Sequence, residues 1–185
     1  MRLNLGCGFN RLDGYLNLDK EEACSPDRVV DLEQFPWPLE DDCATEVILS
    51  HVLEHLGQST ETYLGIIREL YRISADGARV HIRAPHPRSD EFLADPTHVR
   101  PIIPDQFHLF SKKKNIEWRE AGYANSQLGL RLDVDFEVES VEYFPSEDWL
   151  GRMRAGEVTS EEMAIHQFNV IEELEIELRV IKKSG

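Results

Sequence analysis

The hydrophobic and polar positions of this 185-residue chain follow a strand period in some segments and a helix period in others. Short apolar runs that end in glycine or a polar residue predict strands. These runs cover residues 2–5, 15–18, 29–32, 46–50 and 78–83. Between the last two, apolar side chains recur at helical spacing from Tyr63 to Ile73, after a cap at Ser59 or Thr60. Strands that alternate with helices predict an α/β fold with a doubly wound, mostly parallel sheet.

The second half of the chain supplies the edge of this sheet. Residues 130–144 and 173–181 alternate with a period of two, which is typical of half-exposed strands. We expect them to close the sheet with an antiparallel edge strand. Residues 115–122 predict a short helix before this edge.

Two further segments are predicted to be insertions. Residues 85–112 are rich in proline and predict an irregular insertion on the substrate side of the sheet. Residues 145–172 are polar and predict a helical insertion before the last strand, with Thr159 or Ser160 as a cap. The length suits one core, so we expect residues 1–185 to form a single domain.

Charge and cysteine content narrow the possible partners. The chain has 20 Lys and Arg residues against 35 Asp and Glu residues, which gives a net charge of −15. Nucleic-acid affinity depends on clustered basic side chains, so a small or neutral substrate fits better than nucleic acid. The three cysteines form no CxxC pair and indicate reduced thiols. No run is apolar enough for a membrane span or an export signal, so we expect a soluble, cytoplasmic protein that does not bind membranes.

Glycine and acidic residues follow three predicted strands at the points where the strands end. Gly6 and Gly8 follow the first strand, where a backbone without Cβ can approach a ligand closely. Asp19 ends the second strand and can accept hydrogen bonds from both hydroxyls of a ribose. Asp31 ends the third strand beside Leu32, where the pair can meet the amine and the ring of adenine. A tight turn or a turn aspartate explains each position equally well when it is taken alone.

The order of these residues predicts one nucleoside pocket across three adjacent strands. A dinucleotide is disfavoured because Arg11 occupies the position of the third glycine of the dinucleotide fingerprint. The next strand-end acid, Asp19, also lies about eleven residues beyond Gly8 rather than roughly twenty. We therefore expect a nucleoside without a pyrophosphate.

Four motifs together carry a family resemblance. They are LNLGCG at residues 3–8, GYLNLD at 14–19, VDL at 30–32 and SHVLEHL at 50–56. In this combination the chain resembles the class I S-adenosylmethionine-dependent methyltransferases over about its first 110 residues. It looks closest to a compact subgroup with a shortened first crossover, often found beside polysaccharide and glycosyl-transfer functions. The resemblance implies a Rossmann-like fold, S-adenosylmethionine as cofactor and methyl transfer as activity.

The resemblance also implies roles for residues in the cofactor pocket. Gly6, Cys7 and Gly8 would lie along the methionine part of the cofactor. Asp19 would hold the ribose, and Asp31 with Leu32 would flank adenine. The remaining two positions, near the sulfonium, are Ser50 and His51.

Methyl transfer from a sulfonium needs little covalent help, but the acceptor can require deprotonation. His51 and His98 are the candidate bases, and a structural or surface role is the alternative for each. The candidate acceptor ligands are His55, His86, Asp95 and Arg100. A small molecule or a glycan is the expected acceptor, with a sugar oxygen preferred and an amine or carboxylate left open.

Two other classes of function remain. Residues 51–55 match the HxxEH pattern of a zinc metallohydrolase, but this pattern requires a continuous helix and here follows a strand directly. We therefore expect no metal ligands. The chain is alternatively a cofactor-binding module without catalysis. The polar segment 147–172 is then a candidate partner or homodimer surface, and an ordinary solvated helix is the alternative.

Overall fold

The computed structural model describes residues 1–158 and 167–182. Within these residues the chain forms one sheet of seven strands in the order β3-β2-β1-β4-β5-β7-β6. All neighbouring pairs are parallel except those of β7, which runs antiparallel to β5 and β6. The α/β sheet and its antiparallel edge are confirmed, and the edge consists of the antiparallel pair β6 and β7. The strands are β1 Arg2–Leu5, β2 Leu16–Asp19, β3 Arg28–Val29, β4 Ala44–Ser50, β5 Ser74–Pro85, β6 Phe136–Pro145 and β7 Ile171–Val180.

Six helices connect the strands within the described residues. They are α1 Thr60–Ile73, α2 Asp90–Ala94, α3 Pro104–His108, α4 Lys112–Glu120, α5 Leu128–Leu132 and α6 Glu147–Arg154. Single 3₁₀ turns cover Glu22–Cys24 and Leu53–His55. No helix in the described part of the chain is long and apolar enough to cross a membrane.

Helix α1 connects β4 to β5 and forms much of the core. Ser59 caps it by accepting a hydrogen bond from the backbone N–H of Thr62 at 3.1 Å. The apolar side of the helix is buried with one face of the central strands. Its buried apolar side chains are Tyr63, Ile66, Ile67, Leu70 and Ile73. Those of β1 and β4 are Leu3, Leu5, Ala44, Val47 and Leu49.

The opposite face of β4 is more open. Ile48 and Ser50 are half-buried there because side chains alternate across a strand. With His81 and Arg83 of β5 they line a polar cleft of about 360 Å³. The sheet therefore has one well-packed apolar face and one polar face along these strands.

Some element boundaries differ from the predictions. The third strand pairs over Arg28–Val29 alone, because Asp31 instead accepts a hydrogen bond from the N–H of Glu33 and forms a turn. The predicted strand 130–144 begins with the end of α5, which stops at the left-handed Asp133, and pairs as β6 from Phe136.

The two insertions are partly helical. Residues 85–112 contain α2 and α3, and Ser89 caps α2. In the segment 145–172, Ser146 caps α6 and the last two residues already belong to β7. Thr159 and Ser160 lie outside the described residues. Whether residues 1–185 make up a single domain stays a prediction.

Candidate functional site

A cleft of about 400 Å³ lies at the carboxyl ends of β1, β2 and β4, where ligands of parallel sheets bind. Five residues predicted from the sequence line it: Gly6, Asp19, Asp31, Leu32 and His51. His55 also lines the cleft, although it was predicted to bind the acceptor. The other lining residues were not predicted as site residues. The full lining consists of those five with Lys20, Val30, Glu33, Val52, His55, Leu56 and Thr97.

The glycine loop after β1 packs tightly against the segment after β4. Gly6 has φ +66°, and a Cβ there would lie 2.6 Å from a methyl carbon of Val52. The next residue, Cys7, is buried and donates its N–H to the carbonyl of Leu18 at 2.9 Å. Burial, and then the charge of Asp19, raise the pKa of the Cys7 thiol. The loop therefore presents backbone to the cleft rather than a reactive side chain.

Both oxygens of the Asp19 carboxylate are positioned by backbone N–H groups. Oδ2 accepts from Gly8 at 2.7 Å, and Oδ1 accepts from Glu21 at 2.9 Å. Each carboxylate oxygen can accept a further hydrogen bond. The acid is thus fixed in the cleft and can still accept hydrogen bonds from two hydroxyl groups.

The segment after β3 forms a second acidic wall. Leu32 is buried, and its carbonyl accepts the indole N–H of Trp37 at 3.1 Å. Glu33, which sequence reasoning missed, accepts the N–H of Gly57 at 2.8 Å. Only this long-range contact distinguishes Glu33 from any other surface acid, and such a contact has no local sequence signal.

Ser50 and His86 are among the predicted residues that do not line this cleft. Ser50 lines the other cleft, on the polar face of β4. His86 is buried, its ring 6.2 Å from that of Tyr143, and its Nδ1 accepts the N–H of Arg88 at 3.2 Å. Burial lowers the pKa of His86, and the charge of Arg88 lowers it further. The structure gives no support to a ligand role for either residue.

His51 stands at the exit of β4 with φ +55°. Its side chain is 43% exposed, and Nε2 lies 3.1 Å from Oε1 of Glu173. Arg83 donates to the other oxygen of Glu173 at 2.8 Å. The left-handed backbone at His51 turns the chain out of the sheet and brings the imidazole to the cleft.

Glu54 is the most unusual group near the site. Its side chain is fully buried, and neither carboxylate oxygen has a hydrogen-bond partner among the described residues. Burial raises the pKa of Glu54 to about 7, although its own backbone N–H and then the charge of His98 lower it, and the charge of Glu173 raises it slightly. Perturbed groups of this kind cluster at functional sites. Sequence reasoning had named Glu54 only as part of the zinc pattern.

The imidazoles of His55 and His98 lie beside Glu54. Their ring centroids are 4.6 Å apart, and Phe92 stacks on His98 at 5.3 Å. Burial, and then the charge of His98, lower the pKa of His55. The structure thus brings together one candidate base, from the insertion 85–112, and one candidate acceptor ligand, from the turn after β4.

Arg100 does not converge with Asp95 and His98 as predicted. It donates to the carbonyl of Gly57 at 2.5 Å and lies 4.0 Å from the ring centre of Tyr63. These contacts hold the guanidinium against the start of α1, and the role of Arg100 as an acceptor ligand stays a prediction.

The helix that the HxxEH pattern needs is not formed by residues 51–55. His51 has a left-handed backbone and Leu53–His55 is a single 3₁₀ turn. His51 and His55 therefore do not share a helix face, and the zinc metallohydrolase arrangement is wrong in its geometry.

Comparison with known proteins places this site in context. No protein-family model and no curated protein sequence matches the chain. Among solved structures, a SAM-dependent methyltransferase from Archaeoglobus fulgidus is similar with a TM-score of 0.61 and 17% identity, over 96% of this chain and 84% of that one. An S-adenosylmethionine-dependent methyltransferase from Mesorhizobium loti is similar with a TM-score of 0.51 and 19% identity, over 96% and 89% of the two chains. The [4+2]-cyclase SpnF is similar with a TM-score of 0.54 and 14% identity, over 98% and 75%.

Identities this low establish the fold. The chain has the class I S-adenosylmethionine-dependent methyltransferase fold, as the resemblance of its motifs predicted. The similar structures include both methyltransferases and a cyclase. The activity must therefore be argued from the site.

Proposed function

We propose that the chain binds S-adenosylmethionine in the strand-end cleft and transfers its methyl group to a small-molecule or glycan acceptor. The observation that carries this proposal is the charge of the cleft. Asp19, Asp31 and Glu33 line it against a single lysine, Lys20. This lining favours a nucleoside with a cationic sulfonium and repels a pyrophosphate. When bound, the cofactor supplies a methyl group on a positively charged sulfur.

Asp19 is the proposed ribose ligand. Its two oxygens are already positioned by Gly8 and Glu21, so binding two hydroxyls costs little further ordering. Asp31 and Leu32 are proposed to contact adenine, because a carboxylate and a buried apolar side chain stand next to each other there.

His51 is the proposed general base for an acceptor that needs deprotonation. The carboxylate of Glu173 at 3.1 Å favours a proton on Nε2, which leaves the lone pair on Nδ1. The half-exposed ring at the cleft wall is accessible to an acceptor. A hydroxyl of a sugar fits a site with polar neighbours and no clustered basic side chains for phosphate.

Calorimetric titration tests cofactor binding directly. We expect the wild-type chain to bind S-adenosylmethionine and S-adenosylhomocysteine but not NAD. Asp19→Asn should weaken both interactions at least tenfold, since one charge-assisted hydrogen bond contributes about 1.5–3 kcal/mol. Asp13→Asn is the matched control, because Asp13 is exposed in the loop after β1 and does not line the cleft.

Methyl transfer is then measured with radiolabelled cofactor and a panel of sugars, small alcohols, amines and carboxylates. A lower rate of methyl transfer in His51→Gln, with unchanged affinity for the cofactor, supports the proposal. Tight cofactor binding without transfer to any acceptor favours the non-catalytic module or a cyclase-like use of this fold. Equal binding by wild type and Asp19→Asn contradicts the proposed site.

A further inference from the structure

The buried carboxylate of Glu54 requires a partner that the described residues do not supply. Its nearest cationic candidates, Nδ1 of His51 and Nε2 of His55, lie 3.6 and 4.0 Å from Oε1, beyond hydrogen-bond distance. The backbone is held firmly in this position, since the Glu54 carbonyl accepts from Val99 at 2.9 Å and Arg100 at 3.0 Å. A buried carboxylate without a hydrogen-bond partner is costly in its charged form, and a bound cation offsets this cost.

The imidazole of His55 is oriented by a chain of hydrogen bonds. Thr97 donates its hydroxyl to Oδ1 of Asp95 at 2.6 Å, and the same hydroxyl oxygen lies 2.9 Å from Nδ1 of His55. The hydrogen bonds from Thr97 lower the pKa of Asp95, so this carboxylate is an acceptor only. Thr97 must therefore accept from His55, which places the proton on Nδ1 and leaves the Nε2 lone pair free.

His98 is fixed in the same tautomer by a different acceptor. Its Nδ1 lies 2.8 Å from the carbonyl oxygen of Phe92, which can only accept a hydrogen bond. The proton is therefore on Nδ1, and Nε2 again has the lone pair. The nearest carboxylate oxygen to that nitrogen, Oδ2 of Asp95, is 3.8 Å away and does not hydrogen-bond it.

We propose that Glu54, His55 and His98 bind a divalent transition-metal ion. One ligand atom from each of the three residues lies within 4.8 Å of the other two. Two imidazoles and one carboxylate are a recurring ligand set for zinc and for iron. Metal-bound histidines characteristically donate their second N–H to a carbonyl or a carboxylate-linked group, as both do here.

Ion binding requires the three side chains to move closer together, from separations of up to 4.8 Å. Ligands that bind one ion tetrahedrally at about 2.0–2.1 Å lie roughly 3.4 Å from each other. Oε1 of Glu54 and Nε2 of His55 are 4.0 Å apart. The set of three mutually close ligand atoms does not include His51, although Nδ1 of His51 lies 3.6 Å from Oε1 of Glu54. The proposed site therefore differs from the HxxEH arrangement in taking its second histidine from the insertion.

The site adjoins the strand-end cleft, because His55 and Thr97 line that cleft. Three protein ligands leave coordination positions open for water or for an oxygen of the acceptor. Metal binding itself does not depend on the proposed methyl transfer. Only the role of the metal in binding the acceptor rests on that proposed function.

The test uses the tag-free, full-length chain after treatment with a chelator. It is titrated separately with Co²⁺, Zn²⁺ and Mn²⁺ by calorimetry, and bound metal is counted by mass spectrometry after dialysis. We expect one ion per chain, a visible absorption band of bound Co²⁺, and a higher unfolding temperature with metal. His98→Ala should weaken Co²⁺ binding at least tenfold, whereas the control His108→Ala, in the same insertion but outside the cluster, should bind like wild type.

Two more variants keep the result interpretable. Glu54→Gln should also lose the ion, and if it does not fold, His55→Ala replaces it. Wild type that binds none of the three ions, or His98→Ala that binds as tightly as wild type, overturns the proposal.

S-adenosylhomocysteine is titrated into the metal-free chain in parallel. Nucleoside binding without metal binding refutes only the metal site, and metal binding without nucleoside binding refutes only the proposed function.

Discussion

The carboxylate of Asp19 accepts a hydrogen bond from the backbone N–H of Gly8 at 2.7 Å and so ties the end of β2 to the glycine loop after β1. Residues 6–15 form turns rather than a helix, so the helix dipole that would otherwise favour an anion at this loop is absent from this described segment. The loop instead donates the backbone N–H of Gly8 to the carboxylate of Asp19. This arrangement supports the proposal that the cleft binds a cationic nucleoside.

The packing of Gly6 makes the first prediction. Gly6→Ala should destabilise the protein by about 2–4 kcal/mol, because the left-handed backbone disfavours alanine and its Cβ would overlap Val52. Gly8→Ala is the control, since Gly8 also has a positive φ but a Cβ there meets nothing within 4 Å. Its expected cost is about 1–2 kcal/mol. Urea unfolding measures both, and equal losses would contradict the role of Val52.

Arg100 gives the second prediction, which separates a structural role from acceptor binding. Arg100→Ala should lower the free energy of unfolding by about 1–3 kcal/mol, because it removes the hydrogen bond to Gly57 and the cation over the Tyr63 ring. Arg119→Ala on the half-exposed helix α4 is the control and should have little effect. Unchanged unfolding together with weaker acceptor binding would support the role predicted from the sequence.

Much of the sheet was predictable because strand ends are marked by local chemistry. Gly6, Asp19 and Asp31 each follow an apolar run, and such runs end at the same edge of a parallel sheet. The direction of individual side chains was harder to predict. Ser50 and His51 are neighbours, yet one lies on the polar face of β4 and the other at the cleft. The positive φ of His51 that causes this has no sequence signal, since the residue is not a glycine.

Contacts between distant residues account for the rest of what the sequence could not predict. Arg100 reaches Gly57 across 43 positions, so one of its guanidinium nitrogens is bound to a carbonyl, while its buried Nε has no partner among the described residues. The cluster at Glu54 likewise depends on His98, which a proline-rich insertion returns to the sheet. A local motif search identifies residues 51–55 but cannot choose the partner that folding brings to them.

The third prediction concerns acid stability and Glu69 of α1. Although burial alone would raise its pKa, hydrogen bonds from Arg72 and from the N–H of Trp37 lower it below the usual 4.5. A depressed folded-state pKa adds stability above pH 4.5, and this stability is lost as the pH falls through the folded-state value. Glu69→Gln should therefore be less stable at pH 7 by about 1–3 kcal/mol, and the difference should shrink below pH 4.5.

Urea unfolding of both proteins between neutral and acid pH measures this difference. Other carboxylates with lowered pKa values, such as Asp27 and Asp95, are present in both proteins and cancel in the comparison. Glu61→Gln at the exposed start of the same helix is the control. Stability curves for wild type and Glu69→Gln that stay parallel at every pH would show that the Arg72 and Trp37 contacts do not hold the charged form.

Thr97 provides the fourth prediction, on the orientation of a proposed metal ligand. Thr97→Val removes the hydroxyl that links Nδ1 of His55 to Asp95, while it keeps the side-chain size. Co²⁺ binding should weaken about 10–100-fold, as is typical when a partner of a metal-bound histidine is lost. Thr97→Ser retains the hydroxyl and should bind Co²⁺ nearly as tightly as wild type.

Nitrogen NMR of the imidazoles adds a second readout, because the proton on Nδ1 of His55 should be fixed in wild type and in Thr97→Ser alone. If the valine and serine variants bind Co²⁺ equally, His55 is not oriented through Thr97, and the cluster would have to bind metal without this support.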